Sequence, residues 1–243
     1  MRRVAFVTGG GGGIGSAICR ALAAEGHRVA VADLVEEHAS RIAADIGGLG
    51  IPLDITDLNS VENAIRKTEA ELGPVDICVN CAGWSSKRSF LECNEEFIEK
   101  ILAINLAGHI RVMRLLVGGM MERGWGRVVN VASDAGRVGN RNDAVYSAAK
   151  GGLIAFTKAL AREVARAGVT ANVVSPGPIE TPLFYSNMGD AAQARLAKHG
   201  KAVPMGRIGQ PAEVAVAVAF FASEGASFIT GQTVSVSGGL VMS

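Results

Sequence analysis

Excess charge is the first thing this sequence lacks. Lys plus Arg (24) and Asp plus Glu (23) leave a formal net charge of +1 over 243 residues. That balance gives no electrostatic footprint for nucleic acid or for a membrane surface. No apolar run approaches the ~18 uninterrupted residues of a membrane span. The opening Met1-Arg2-Arg3-Val4-Ala5-Phe6 enters a strand-like run without the apolar core and cleavage site of a secretory signal. Cysteine is scarce too: Cys19, Cys78, Cys81 and Cys93 are the four copies, too few for a disulfide scaffold and compatible with a reducing, cytoplasmic setting. Cys78 and Cys81 form a C-x-x-C, but it spans the end of an apolar strand and has no second Cys/His pair nearby. Two structural thiols are expected there, with no metal.

What is abundant is apolar surface, at 49% of residues, and glycine, at 31 copies. Short runs rich in β-branched residues recur at Val4–Val7, Val29–Asp33, Gly50–Leu53, Val75–Asn80, Val128–Ala132, Thr170–Ser175 and Thr233–Val236. Their nearly continuous apolarity is that of strands buried on both faces. Helix-like stretches lie between them, among them Ser16–Glu25, Ser60–Leu72, Asn94–Arg123, Ala144–Ala167 and Pro211–Ser223. Such alternation predicts one α/β domain over residues 1–243, a doubly wound Rossmann fold with a seven-stranded parallel sheet and helices on both faces. The less regular segment at about 180–204 interrupts the pattern and is read as a substrate lid.

Thr8-Gly9-Gly10-Gly11-Gly12-Gly13-Ile14-Gly15 follows the first strand and opens the first helix. Glycines at that junction let the backbone turn and approach a pyrophosphate lying at the helix N-terminus. Asp33 ends the second strand, and no Arg or Lys stands in Leu34-Val35-Glu36 or in the glycine loop. A carboxylate there accepts ribose hydroxyls and repels a 2′-phosphate, so the expected cofactor is NAD rather than NADP. Further on, Tyr146 and Lys150 are four residues apart in an alanine-rich helical stretch, on one face. A phenol ordinarily titrates near pH ~10, and a neighbouring cation favours its ionised form. Ser133 follows the fifth strand, where open α/β sheets place ligands. Asn105 sits among apolar residues, where an amide is costly unless used.

The T-G-x-x-x-G-x-G spacing together with Asn105, Ser133, Tyr146 and Lys150 resembles the short-chain dehydrogenase/reductase family along the whole chain. The resemblance implies a secondary alcohol and ketone interconverted by hydride transfer, without a metal. Tyr146 is then the acid/base, Ser133 binds the reacting oxygen, Lys150 holds the ribose and tunes Tyr146, and Asn105 bends its helix and links a proton relay to solvent. It also implies cofactor contacts from Gly9, Gly13, Ile14, Gly15, Asp33, Asp54 and Ile55. Asn80, Ala82 and Gly83 look like the family's N-N-A-G, with Cys81 in place of the second Asn. Pro176, Gly177, Ile179 and Thr181 look like its P-G-x-I-x-T. Members are usually homotetramers, and here Ala212–Ala222 with Phe228–Gln232 are the stretches that fit such an interface or, equally, internal packing.

Substrate contacts are expected after Gly83, between Ser133 and Tyr146, and from the 180–204 segment. Trp84, Asp134, Arg137 and Arg141 are the candidates. With Lys87 and Arg88, the two arginines form a cationic rim that fits an anionic substrate, a carboxylate or a CoA thioester, or is simply solvated. The Ala82–Trp84 step, the Ser133–Gly139 loop and the Ser235–Leu240 ending look like those of NAD-dependent dehydrogenases acting on 2-hydroxycyclohexanecarboxyl-CoA, a cyclic β-hydroxyacyl-CoA. The alternatives are a reductase of 3-oxoacyl thioesters or general ketones working with NADPH, and a catalytically silent NAD-binding regulator. A sugar-nucleotide epimerase of the extended relatives needs roughly 70 more residues.

Overall fold

Each of the seven strand-like runs becomes a strand of one parallel sheet in the computed structural model, which describes residues 2–186 and 200–242. The strands are β1 (Val4–Thr8), β2 (Arg28–Asp33), β3 (Leu49–Pro52), β4 (Ile77–Asn80), β5 (Gly126–Val131), β6 (Val169–Pro176) and β7 (Thr233–Val236). They lie in the order β3-β2-β1-β4-β5-β6-β7. The chain winds outward in one direction from β1 and in the other from β4, so the two neighbours diverge at their carboxyl ends. That divergence opens the crevice in which doubly wound sheets bind ligands.

Alternation along each strand divides the core into two layers. Ala5, Val7, Val29, Val31, Val79 and Val129 face one way and pack on Ile18 and Leu22 of α1 (Gly13–Ala24), Ile42 of α2 (Glu36–Ile46) and Val214 and Val218 of α9 (Pro211–Ala222). Phe6, Ala30, Cys78, Val128 and Ala171 face the other way. They meet Val61 of α3 (Leu58–Leu72), Val112 and Leu116 of α5 (Gly108–Glu122), and Leu153 of α7 (Ala144–Val164). With both faces covered, the strands need no polar side, which accounts for their unbroken apolarity. Short helices α4 (Glu95–Leu102), α6 (Ala135–Val138) and α8 (Pro182–Ser186) sit on the carboxyl-end connections.

The stretch expected as one helix over Asn94–Arg123 contains an interruption. Ala103–Ala107 between α4 and α5 is a π turn, closed by the Gly108 amide donating to the Ala103 carbonyl. Asn105 explains it: its Nδ2 donates to the Ile101 carbonyl at 3.0 Å, the group its own backbone N–H would take in an α-helix. The combined run Glu95–Glu122 is long and apolar enough to cross a membrane, which a count of uninterrupted apolar residues does not reveal. Its apolar stripe is used against the sheet, with Ile101, Val112, Met113 and Met120 at 0–1% exposure.

A polar ladder crosses the second layer near the crevice. Asn80 Nδ2 donates to Asn130 Oδ1 at 2.8 Å, Asn130 Nδ2 to Thr157 Oγ1 at 2.8 Å, and Thr157 Oγ1 to the Leu153 carbonyl at 2.7 Å. All three side chains are fully buried, so each bond is compulsory. Replacing Asn130 with Ala strands two buried partners and should lower stability by about 2–3 kcal/mol. Urea unfolding reads this as a lower midpoint with an unchanged slope; an unmoved midpoint would show that the ladder contributes nothing.

Candidate active site

The crevice is closed at its base by a single hydroxyl. Thr8 Oγ1, at the end of β1, accepts from the amides of Cys81 (3.1 Å) and Ala82 (3.2 Å) just past β4. The two connections then run in direct contact. Gly9 takes φ +65°, and a β-carbon on it would lie 2.7 Å from Ala82 Cα. A β-carbon on Gly15 would lie 2.0 Å from the Gly9 carbonyl oxygen, so only glycine lets α1 start this close to the loop. No side chain caps α1, which leaves its first-turn amides and the positive end of its dipole facing the crevice. Thr181 stands across from Gly13, carried there by the connection after β6, where the Gly177 amide donates to the Val236 carbonyl at 3.0 Å and buried Ile179 bridges to Gly209.

Asp33 overhangs the other side of the loop. Its Oδ2 accepts from the Gly11 amide (2.9 Å) and its Oδ1 from the Val35 amide (3.1 Å), while His38 presses its Cβ toward Gly11. The carboxylate is thus aimed beside the loop, with Leu34 and Val35 exposed next to it. Asp54 shapes the connection after β3: its Oδ1 accepts from the Thr56 amide and hydroxyl at 2.8 and 2.7 Å, and Ile55 is buried behind it. An uncapped helix start flanked by a fixed carboxylate suits a dinucleotide, pyrophosphate on the amides and ribose on Asp33.

Ser133, Tyr146 and Lys150 meet at the carboxyl end of β5. The Tyr146 hydroxyl faces that of Ser133, whose Oγ accepts from the Ala135 amide at 3.2 Å. Lys150, one turn further along α7, donates from Nζ to the Val131 carbonyl at 2.9 Å and lies 5.9 Å from the Tyr146 ring centre. Burial dominates both titrations. It raises the Tyr146 phenol to about 12, opposed by the Ser133 bond and helped by Asp143 and Cys81. It lowers the Lys150 ammonium to about 8, opposed by Cys81. Lys150 Nζ is turned to Val131, and desolvation pushes the phenol up.

Asn105 makes further bonds from the same side chain. Besides the Ile101 bond, its Nδ2 donates to the Trp84 carbonyl (2.8 Å) and its Oδ1 accepts from the Trp84 amide (3.3 Å). The side chain is committed to pinning the Gly83–Trp84 connection. A β-carbon on Gly83 would lie 3.1 Å from Asn105 Oδ1 and 3.7 Å from Lys150 Nζ.

The four candidate substrate contacts separate. Trp84 packs edge-on against Phe97 at 5.9 Å, with Lys100 Nζ 4.5 Å above its ring. Asp134 is buried and accepts from Ser235 of β7, which in turn accepts from Arg137. That chain fastens the loop after β5 to the sheet edge. Arg141 is exposed, beside Asn142 at φ +63°. Arg88 of the cationic rim lies 4.4 Å over the Phe97 ring. Cys78 and Cys81 belong to opposite layers of the core, so they form no ligand pair. Residues 187–199 of the segment read as a lid lie outside the described residues.

Sequence reasoning did not assign roles to Asp143, Ser235 or His109. Asp143 accepts from Ser85 Oγ (3.1 Å) and Asn140 Nδ2 (3.0 Å), joining the two loops that border the crevice. Its partner at Ser85 is 58 residues away, and no local pattern announces such a pair.

An open seven-stranded sheet with a glycine loop at the switch point and a Ser-Tyr-Lys group at the end of β5 defines a short-chain dehydrogenase/reductase. The chain belongs to that family: residues 10–241 match the family model described as enoyl-(acyl carrier protein) reductase. It is 41% identical over 242 residues to the 3-oxoacyl-(acyl-carrier-protein) reductase FabG of Escherichia coli (strain K12), covering 99% of this chain and 98% of that protein. It is 38% identical over 251 residues to the acetoacetyl-CoA reductase of Allochromatium vinosum, covering 100% of both. Among solved structures it superposes with a TM-score of 0.94 on an actinorhodin polyketide ketoreductase with NADPH, at 37% identity, covering 98% and 97% of the two chains. These names speak of 3-oxoacyl and acetoacetyl thioesters, and among them the narrower likeness to a ring hydroxyacyl-CoA dehydrogenase finds no support.

A cation buried at a cost is a sign of function, and stability measures the cost. Lys150 has a folded value near 8 against an ordinary value near 10.5. Between those values the unfolded chain holds more protons, so this group adds stability as pH rises and removes it as pH falls. Lys150→Met should gain about 1–2 kcal/mol at pH 7, after the lost Val131 bond, and the gain should shrink toward pH ~10. Chemical unfolding at the two pH values checks the sign; a variant less stable at both contradicts it.

Proposed function

We propose that this protein interconverts a 3-oxoacyl thioester and its 3-hydroxyacyl thioester with NAD(H). The observation that carries the reading is the meeting of Ser133, Tyr146 and Lys150 at the end of β5, with Lys150 Nζ on the Val131 carbonyl and 5.9 Å from the Tyr146 ring centre. A phenol held neutral is ready to act as an acid, the role that ketone reduction needs. Ser133 donates its hydroxyl to the carbonyl oxygen as negative charge develops there, and Tyr146 delivers the proton. Lys150 holds the ribose and steadies the phenolate that remains. Asn105 serves as a positioning residue, pinning the Gly83–Trp84 connection.

Gly9, Gly13, Ile14 and Gly15 would carry the pyrophosphate, Asp33 the adenosine ribose, and Asp54, Ile55, Asn80, Ala82 and Gly83 the adenosine side. Pro176, Gly177, Ile179 and Thr181 would hold the carboxamide end, and the bound nicotinamide supplies or accepts the hydride. Support for NAD is the fixed Asp33 carboxylate with no cation between it and His38. The thioester comes from the relatives' names. A ring substrate such as 2-hydroxycyclohexanecarboxyl-CoA is a finer form of the same class, since its hydroxyl is β to the thioester carbonyl. Arg141 and Trp84 on the rim, and the 180–204 segment as a lid, would then receive the acyl carrier.

Self-association completes the reading. Val216 and Phe220 on α9 are 69% and 48% exposed, and Phe228, before β7, is wholly exposed. An apolar face of this kind at a sheet edge suits a tetramer, and light scattering should return four times the 25.1 kDa chain mass; a stable monomer contradicts it.

Acetoacetyl-CoA reduction tests chemistry and cofactor together. NADH should exceed NADPH in kcat/KM by about 100-fold or more, the scale of a carboxylate facing a phosphate. Tyr146→Phe should lose about 1,000-fold in kcat while still binding NADH. Substantial turnover by that variant would sink the acid/base assignment, and a preference for NADPH would overturn the part given to Asp33.

A further inference from the structure

Ser133 lies on the loop after β5, and two of its own bonds stay within that loop. Its Oγ accepts from the Ala135 amide at 3.2 Å and its carbonyl from the Gly136 amide at 2.9 Å. Such bonds move with the loop and do not fix it against the sheet. Three outside attachments do. Gly136 lies on α7, where a β-carbon would meet the Lys150 carbonyl carbon at 2.6 Å. The Asp134 amide donates to the Pro176 carbonyl at the end of β6, at 3.0 Å. The third runs through side chains: Ser235 Oγ of β7 donates to Asp134 Oδ1 and accepts from Arg137 Nη1, each at 2.5 Å.

The first two attachments use main chain or a glycine and do not depend on the side chain at 134. The third needs a short carboxylate there and a hydroxyl 101 residues later. It also has a cost. Asp134 is 5% exposed, and its Oδ2 completes no hydrogen bond among the described residues. Burial pushes its carboxyl above the ordinary range, opposed by the hydroxyls of Ser235 and Ser237 and by the charge of Arg137. Packing alone would be better served by an apolar side chain at this place.

We propose that Asp134 is a positioning residue for Ser133: tied through Ser235 to β7, it fixes the loop after β5 and with it the direction from which Ser133 Oγ meets the reacting oxygen. The inference rests on the reading of Ser133 and Tyr146 as the groups that handle that oxygen. Asp134 and Ser133 are chain neighbours, so a loop that turns about its main-chain anchors displaces both. A misplacement of about 1 Å in a catalytic group is enough to cost 10-fold or more in rate. Positioning predicts a loss in kcat with the substrate KM unchanged, whereas a direct substrate contact by Asp134 or Arg137 predicts a raised KM.

The test compares wild type, Asp134→Ala, Asp134→Asn, Ser235→Ala and the double variant Asp134→Ala/Ser235→Ala in acetoacetyl-CoA reduction by NADH. NADH affinity and thermal midpoint are measured alongside. Asp134→Ala and Ser235→Ala should each lower kcat about 10-fold and leave both the acetoacetyl-CoA KM and NADH affinity unchanged. The double variant should be no slower than the slower single one, because both remove the same tie. Asp134→Asn, whose amide oxygen still accepts from Ser235, should recover most of the loss. Hydride transfer should limit the Ala variants, so C4-deuterated NADH should slow them more than it slows wild type. If Asp134→Ala does not fold, Ser235→Ala carries the same comparison. Wild-type kcat in the Ala variants overturns the proposal, and so does a loss confined to KM, which would mark a substrate contact. Losses that multiply in the double variant, with Asn no better than Ala, also overturn it and mark packing. An inert wild type, or a Ser133→Ala that turns over like wild type, would instead remove the reading beneath; an impaired Ser133→Ala beside an unaffected Asp134→Ala removes only the part of Asp134.

Discussion

The hydroxyl of Thr8 holds together the two chain segments from which the rest of the site is built. By accepting from Cys81 and Ala82 it fixes the connection after β4 against the glycine loop after β1. These strands are the neighbours at which the winding of the sheet reverses, so their loops would otherwise diverge. Held in contact, they put the free amides of α1 on one side of the crevice and the Gly83–Trp84 connection on the other. The second connection in turn gives Asn105 its partners and gives Lys150 a close backbone neighbour. The placing of the glycine loop and of the connection beside Lys150 therefore follows from one short-range tie.

Burial then sets the chemistry. Tyr146 and Lys150 sit on a helix whose inner face belongs to the core, and removal from water disfavours the charged form of each. The phenol is pushed up and the ammonium down, so the pair stands closer to neutrality than either group would in solvent. Lys150 remains next to Tyr146 but spends a donor on Val131. The arrangement costs stability in the free protein and is the kind of strain kept at functional sites.

Most of the architecture was legible from residue pattern, because strands covered on both faces must be apolar throughout and these were. The glycine loop, Asp33, Ser133, Tyr146 and Lys150 could be read for a related reason: the chemistry of each depends on its place at a strand or helix end. What escaped was long-range pairing. Asp134 and Arg137 look like rim residues until Ser235, about 100 residues away, is seen to tie them down. The π turn was hidden because apolar periodicity does not register a side chain taking one carbonyl. The direction of the Tyr146 shift was hidden as well: a cation four residues away is visible in sequence, whereas the depth of burial is not.

The part proposed for Tyr146 as an acid depends on burial raising its phenol. Only two tyrosines are present, so tyrosinate absorbance compared between wild type and Tyr146→Phe isolates this one group. Without cofactor, the account predicts no ionisation attributable to Tyr146 up to about pH 10. A tyrosinate signal near neutral pH that disappears in the variant would contradict it.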